Sequence, residues 1–426
     1  MFSIKVVYKN QEVGVVTANP ANQNFYIFRY NDDFIKMGIE LCPLLMPLEK
    51  KNYVFPNLSL NSFKGLPPLL ADSLPDKYGS ELLFAWQKMF NKTGLNPLEA
   101  LSYIGKRGMG ALEFVPSIDA LIINEKEMLE IESLVGVANQ LLNDRSSISY
   151  NLSNVKLTQL ISVGSSIGGA RAKAILAIDK NNNIKSGQIS GLNGYEYCIV
   201  KFDGLGADIS EDKNVIYYTR IEYAYYLMAT SCGIKMMPSS LLKINTKFHF
   251  KTKRFDRTDE GEKIHMLSLA GMAGFDYMHP AENSYEEVAL IMRKLSCDMD
   301  EVVQLYKRLV FNVVCRNNDD HIKNISFLMD EKGKYHLSPA YDLSFSYNPR
   351  GDWTKHHQMK INGKVDEITL DDLLCVAEKM NITKSKATKL IDEVQTSAKN
   401  FKNFALEAEL PGFVFEEIYD KFIFLK

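Results

Sequence analysis

Long apolar runs are missing from this 426-residue chain: none reaches the ~18–20 residues that a helix needs to cross a bilayer, so no membrane-spanning role is expected. Met1 is followed by FSIKVVYKN, which lacks the basic start, apolar middle and small-residue cleavage site of a signal peptide and reads as a strand. A cytoplasmic protein without membrane partners is the expectation. Cysteine is sparse and scattered (Cys42, Cys198, Cys232, Cys297, Cys315, Cys375), with no C-x-x-C pair and no histidine at metal-ligand spacing. That pattern excludes a disulfide framework and points to buried structural thiols. Charge of one sign is also lacking: 50 Lys+Arg against 52 Asp+Glu leave a net charge of -2, which argues against a surface built for nonspecific nucleic-acid binding. There is no internal repeat, low-complexity tract or long linker, so the folding units should be closely joined.

What is present is ordinary globular material. With 46% hydrophobic and 24% charged residues, the chain can bury cores without metals or disulfides. Its length suggests two or three units of about 100–200 residues each. The first ~60 residues alternate apolar and polar positions (IKVVY, EVGVVTA, FYIFRY) and read as short antiparallel strands. A loop and then a helix follow from Phe63, with Ser73 or Asp76 as candidate caps. Strand signals return at 156–161, 174–178, 197–202 and 241–253, giving a mixed α/β region. Beyond Phe255 the periodicity turns helical, at 285–295, 299–315, 370–380, 384–398 and 416–424. The expected division is 1–115 as a β-rich unit, 116–256 as an α/β unit and 257–426 as a mainly helical one.

The chemistry concentrates in FNVVCRNNDDHIKNISFLMD, where an apolar helix gives way to a polar cluster and then a strand-like run. Asp319 and Asn324 stand five residues apart, the D-x-x-x-x-N interval of protein-kinase catalytic loops, where the Asp meets the substrate hydroxyl and the Asn holds magnesium. LSPAYDLSF supplies a second carboxylate, Asp342, in the role of the DFG aspartate, although Leu343-Ser344 replaces Phe-Gly. Two oxygen ligands from separate turns suit Mg²⁺, which completes its shell with phosphate and water. The plainer alternative is a turn with local side-chain caps at Asn317, Asn318, Asp319 and Asp320.

Upstream, SVGSSIGGARAKAILAI sets Gly164, Ser165, Ser166, Gly168 and Gly169 between two apolar runs. It reads equally as a loop whose N–H groups approach phosphates or as a simple hairpin turn; with Lys173 followed by Ala174 it is no Walker A motif. Lys201, closing YCIVK, has the position of a strand lysine that reaches ATP phosphates, or of a solvated strand end. Glu222 is its candidate partner or an ordinary exposed helix carboxylate. FHFKTKRFDR has the form of an adenine-binding lobe linker, or of an edge strand whose Lys253, Arg254 and Arg257 serve solubility. His321 reads as a residue that orients the catalytic loop, and His356-His357 as a solvated pair.

In this order GSSIGGARAKA, CIVKF, KRFDR, NNDDHIKN, LSPAYDL and MKINGK resemble the HipA family of serine/threonine kinases, and FKGLPPLLADSLPDKYG and YIGKRGMGALEF resemble that family's N-terminal subdomain. The resemblance spans most of the chain. It implies an α+β protein with a two-lobed, protein-kinase-like fold: a mixed α/β N-lobe with a small N-terminal β subdomain, and a mainly helical C-lobe. It implies catalysis by Asp319 with His321, Mg²⁺ on Asn324 and Asp342, and ATP bound by Ser166, Gly168, Gly169, Lys173, Lys201, Lys253 and Phe255. It further implies inhibitory autophosphorylation at Ser166, or at the adjacent Ser165. The implied partners are a HipB-like DNA-binding antitoxin, with DNA reached only through it, and a protein substrate such as glutamyl-tRNA synthetase or another aminoacyl-tRNA synthetase. A small-molecule or lipid kinase, or an ATP-binding pseudokinase acting as an adaptor, would use the same residues.

Overall fold

The computed structural model describes residues 2–117, 127–143, 148–150, 154–164, 169–204 and 217–426. They form two compact units, Met1–Ile216 with Leu242–Leu267, and Tyr217–Leu241 with Ser268–Lys426.

The first unit holds two sheets. Strands β1 (Ser3–Tyr8), β2 (Gln11–Ala18), β3 (Tyr26–Tyr30), β4 (Asn52–Tyr53) and β5 (Leu112–Val115) pair in the order β4-β3-β2-β1-β5. The alternation read from IKVVY is real, with Ile4, Val6 and Tyr8 buried on one face of β1. Lys9 and Asn10, both at positive φ, turn β1 into β2 across a two-residue hairpin, the conformation that matches strand twist.

The second sheet runs β7-β6-β8-β10-β9, from β6 (Lys173–Asp179), β7 (Ile184–Ser186), β8 (Tyr195–Lys201), β9 (Ser239–Ile244) and β10 (Lys247–Lys253). Residues 173–178 of β6 are buried without a break, as in a strand covered on both faces. One expectation fails here: 156–161 lies inside a helix, Val155–Gly164, instead of a strand. Leu157, Leu160 and Ile161 recur at the three- and four-residue interval of one helical face, and all three are buried.

The second unit is mainly helical: Tyr218–Ser231, Tyr285–Lys294, Met299–Val314, Leu370–Lys379, Lys384–Lys399, Phe401–Glu407 and Gly412–Tyr419. The last of these ends before 420–424, where helix was expected. Reciprocal capping boxes start two helices, Ser284 with Glu287 and Thr369 with Asp372. Met299–Val314 is the core helix, buried from Val302 onward except at Gln304. Its buried Lys307 meets the Cys232 carbonyl at 2.6 Å and Glu393 at 2.7 Å, so that charge is compensated. Of the cysteines, Cys42, Cys198, Cys232 and Cys315 are buried as expected, whereas Cys297 is half-buried and Cys375 exposed.

Candidate active site

The polar loop 317–324 begins where the core helix ends. Cys315 caps the helix, Arg316 takes a left-handed conformation at φ 56, and the Asn317 N–H returns to the Asn312 carbonyl at 3.0 Å. This is a Schellman ending with arginine where glycine is usual. The Arg316 guanidinium lies 3.6 Å from the centre of the Tyr347 ring, a contact that glycine would forfeit.

A chain of side-chain hydrogen bonds then fixes the loop. Asn317 Nδ2 donates to Asn312 Oδ1 at 2.9 Å, Ser346 Oγ to Asn317 Oδ1 at 3.2 Å, and the Asp319 N–H to Ser346 Oγ at 2.9 Å. Asp320 is the anchor. Only 3% exposed, it accepts from Tyr285 Oη at 2.8 Å and the Gln358 N–H at 2.7 Å, with His357 Nδ1 at 3.0 Å. His357 is therefore a buried structural residue and not half of a solvated pair. His356 does face outward, and its Nδ1 lies 3.0 Å from Asp366.

Asp319 contrasts with its neighbour. Its side chain is 43% exposed overall, yet Oδ1 is shut off from solvent with no hydrogen-bond partner; His321 Nε2 lies 3.9 Å away. Burial raises the Asp319 pKa, and the nearby Asp342 and Asp320 carboxylates raise it further, against the pull of His321 and of a hydrogen bond from Trp353. Asn324 Nδ2 donates to the Asp319 carbonyl at 2.9 Å, which fixes the distance between the two ends of the D-x-x-x-x-N segment. Asp342 sits at φ 54, a backbone conformation that aspartate tolerates better than most side chains.

His321, Asn324 and Asp342 line one cavity of about 20 Å³, with Asp320 and Tyr341. Asn318 Oδ1, Asp319 Oδ1 and His321 Nδ1 are buried without hydrogen-bond partners. Such orphaned polar atoms are costly unless a water, ion or ligand satisfies them. Among the described residues no group of three or more His, Cys, Asp and Glu side chains could hold a metal. One amide and one carboxylate at a shared cavity do fit Mg²⁺, which takes few protein ligands when phosphate supplies the rest.

The nucleotide candidates lie in the first unit. Lys173 and Lys201 face each other across the β6–β8 ladder and are 3% and 8% exposed. Lys201 is thus a buried lysine and no solvated strand end. Lys173 Nζ lies so close to Gly169 that a Cβ there would come within 2.8 Å of it. Ser165, Ser166 and Gly168 are outside the described residues. A helix, Val155–Gly164, precedes this segment and β6 follows it, so the hairpin reading falls. Lys253 ends β10 opposite Cys198, with its ammonium 2.5 Å from Asp259; Phe255 follows two residues on and is partly buried.

Arg254 and Arg257 correct the solubility reading outright: they are 1% and 6% exposed and clasp Asp256, which is fully buried. Arg254 donates to both Asp256 oxygens at 2.8 and 2.7 Å, Arg257 and the Gly110 N–H reach Oδ2, and Arg257 also donates to the Gly108 and Gly110 carbonyls. Glu222, read either as a partner for Lys201 or as an exposed helix carboxylate, is 5% exposed in the second unit, so the exposed reading fails.

A family model described as the HipA-like C-terminal domain matches residues 165–401, and one described as the HipA N-terminal domain matches residues 4–115. The chain belongs to the HipA family. The HipA of Shewanella oneidensis MR-1, solved as a toxin–antitoxin complex with HipB and its operator DNA, superposes with a TM-score of 0.70 at 16% identity over 98% of this chain and 95% of that one. The α+β, kinase-like fold is therefore that of HipA. Among curated relatives, "Putative kinase Y4dM" of Sinorhizobium fredii is 28% identical over 153 residues, and a "Putative kinase" of Haemophilus influenzae is 27% identical over 105. The match covers 35% of this chain and 36% of the first, and 23% of this chain and 31% of the second, so the chain spans about a third of each relative's length.

Proposed function

We propose that this HipA-family chain is an ATP-dependent kinase that transfers the γ-phosphoryl group to a serine or threonine hydroxyl of a protein. The observations that carry the reading are the unpartnered, solvent-shielded Asp319 Oδ1, 3.9 Å from His321 Nε2, and the cavity that His321, Asn324 and Asp342 line. In this reading Asp319 accepts the substrate hydroxyl, with its raised pKa favouring proton uptake. His321 orients the loop, and Asn324 and Asp342 hold Mg²⁺. When bound, the metal would neutralise charge on the β- and γ-phosphates. Lys173, Lys201 and Gly169, with Ser166 and Gly168, take the phosphates, and the backbone of Lys253 and Phe255 takes the adenine. Lys173 and Lys201, both buried and opposite each other on adjacent strands, put two cationic groups on one face of the sheet, which supports that part.

The finer identity follows the family: a toxin of a toxin–antitoxin pair, cytoplasmic, held by a HipB-like DNA-binding antitoxin, acting on an aminoacyl-tRNA synthetase and modifying its own Ser166 or Ser165. The test is transfer from radiolabelled ATP to protein and to small-molecule pools, for the native chain and for Asp319→Ala. Labelled protein is expected with the native chain and a loss of roughly 10³-fold with the variant. Label carried only by small molecules would replace the protein-kinase reading.

A further inference from the structure

Two glycines bound the segment that the proposed function assigns to the ATP phosphates, and both rest on one helix of the N-terminal region, Lys77–Met89. At the near end, Gly164 closes its own helix with no room for a side chain: a Cβ would stand 2.7 Å from Leu82 Cδ1, 3.3 Å from the Lys173 carbonyl oxygen and 3.5 Å from Tyr78 Cε1. At the far end, Gly169 is held by both backbone groups. Its N–H donates to Asp76 Oδ2 at 3.0 Å, and its carbonyl accepts from the Tyr78 N–H at 3.2 Å. Tyr78 and Leu82 are fully buried, so this seat is packed as well as bonded. Asp76 stands at the N-cap position but makes no side-chain cap to its own helix; its carboxylate takes the glycine 93 residues away.

Gly169 matters because of what lies against it. It adopts φ +96, open to glycine and rarely to other residues, and the Lys173 ammonium packs where its side chain would be. Asp76 therefore bears on the position of a buried cation through the hydrogen bond that its carboxylate accepts from the Gly169 N–H. We infer that Asp76 is a positioning residue for nucleotide phosphates, and that the helix Lys77–Met89 is the seat of Gly169 and, through it, of Lys173. The N-terminal region is then part of the ATP site and not an appendage. This rests on the reading that the segment meets ATP.

The experiment is steady-state phosphotransfer and MgATP titration on the full chain, native and with Asp76→Ala, Asp76→Asn, Gly169→Ala and the Asp76→Ala/Gly169→Ala pair. Asp76→Ala should raise KM for ATP about tenfold with kcat within threefold, the pattern of lost ground-state positioning. Asp76→Asn keeps a neutral acceptor and should recover most of that loss. The pair should be little worse than Gly169→Ala alone, since both changes act on one contact. An unchanged KM in Asp76→Ala, with an active native chain, overturns the inference and leaves the kinase reading standing. A fall in kcat that tracks thermal instability, with KM unmoved, overturns it as well. A native chain that neither binds nor turns over MgATP overturns both.

Discussion

Two buried charged clusters, 254–257 in the first unit and 317–324 in the second, look alike in sequence and differ in how completely they are satisfied. Both Asp256 oxygens are paired, by two guanidinium groups and a backbone N–H, and within 254–257 one Arg254 nitrogen is left without a partner. In 317–324, three polar atoms on Asn318, Asp319 and His321 are closed off without partners. A polar group that folding has finished with is paired. Several left open together in one loop, at the cost of their desolvation, make that loop a candidate place for something else to bind. The first cluster is therefore framework, tying residues 108–110 to the end of β10, and the second is the one to which the proposed kinase reading assigns the chemistry.

The comparison breaks at once if removing Asp319 harms folding. Asp319→Ala should abolish phosphotransfer by roughly 10³-fold while leaving the melting temperature unchanged or higher, because its ionised form is disfavoured in the fold. Calorimetry beside the kinase assay checks both halves.

Asp256→Ala should do the reverse. It strands two buried guanidinium groups, and losing one member of such a cluster costs about 3–5 kcal/mol, read from urea denaturation. Burial pushes the Asp256 pKa up, but Arg254 and Arg257 outweigh burial and hold it well below the carboxylate range. Its stabilising contribution is thus complete above the unfolded pKa, near 4, and is lost only as pH falls through the much lower folded value. Native stability should not weaken through this group between pH 7 and 5, and a steep loss in that window absent from Asp256→Ala would contradict the assignment.

Asp320 sharpens the contrast inside one loop, since it neighbours Asp319 yet is paired like Asp256. Asp320→Asn keeps the shape but removes the charge from three contacts, at about 2 kcal/mol. Stability should fall, kcat less than tenfold, and KM for ATP not at all. A loss of activity equal to that of Asp319→Ala, in a folded variant, would mean the catalytic aspartate had been assigned to the wrong neighbour.

Local pattern made much of this legible. Alternation located β1 to β3, continuous apolar runs located β6 and β8, and helical spacing located Met299–Val314 and its neighbours. Interval alone put Asp319 and Asn324 together, and the 2.9 Å contact agrees. The misses share one cause: partners distant in sequence. Arg254 and Arg257 read as solvated because the loop they clasp lies nearly 150 residues upstream. His357 read as solvated because Asp320 is 37 residues away. Asp76 does stand at the N-cap position read for it, but nothing near it announces that its carboxylate takes Gly169. For His357 and Asp320, the available signal was a histidine and an aspartate each doubled with a like neighbour, which does not say which of the two turns inward.

The smallest effect tests how rigidly the open carboxylate must be held. Ser346 Oγ accepts the Asp319 N–H and donates to Asn317 Oδ1, joining the proposed catalytic segment to the end of the core helix through one hydroxyl. Ser346→Ala removes that hydroxyl and leaves the N–H without its acceptor, a loss of about 1 kcal/mol. The Asp319 side chain keeps its other surroundings, so kcat should fall only a few-fold and KM for ATP should hold. Ser346→Thr retains the hydroxyl and should restore most of the rate. If Ser346→Ala were as inactive as Asp319→Ala, the loop would depend on this hydroxyl far more than one hydrogen bond can account for, and the division between framework and chemistry would have to be redrawn to include it.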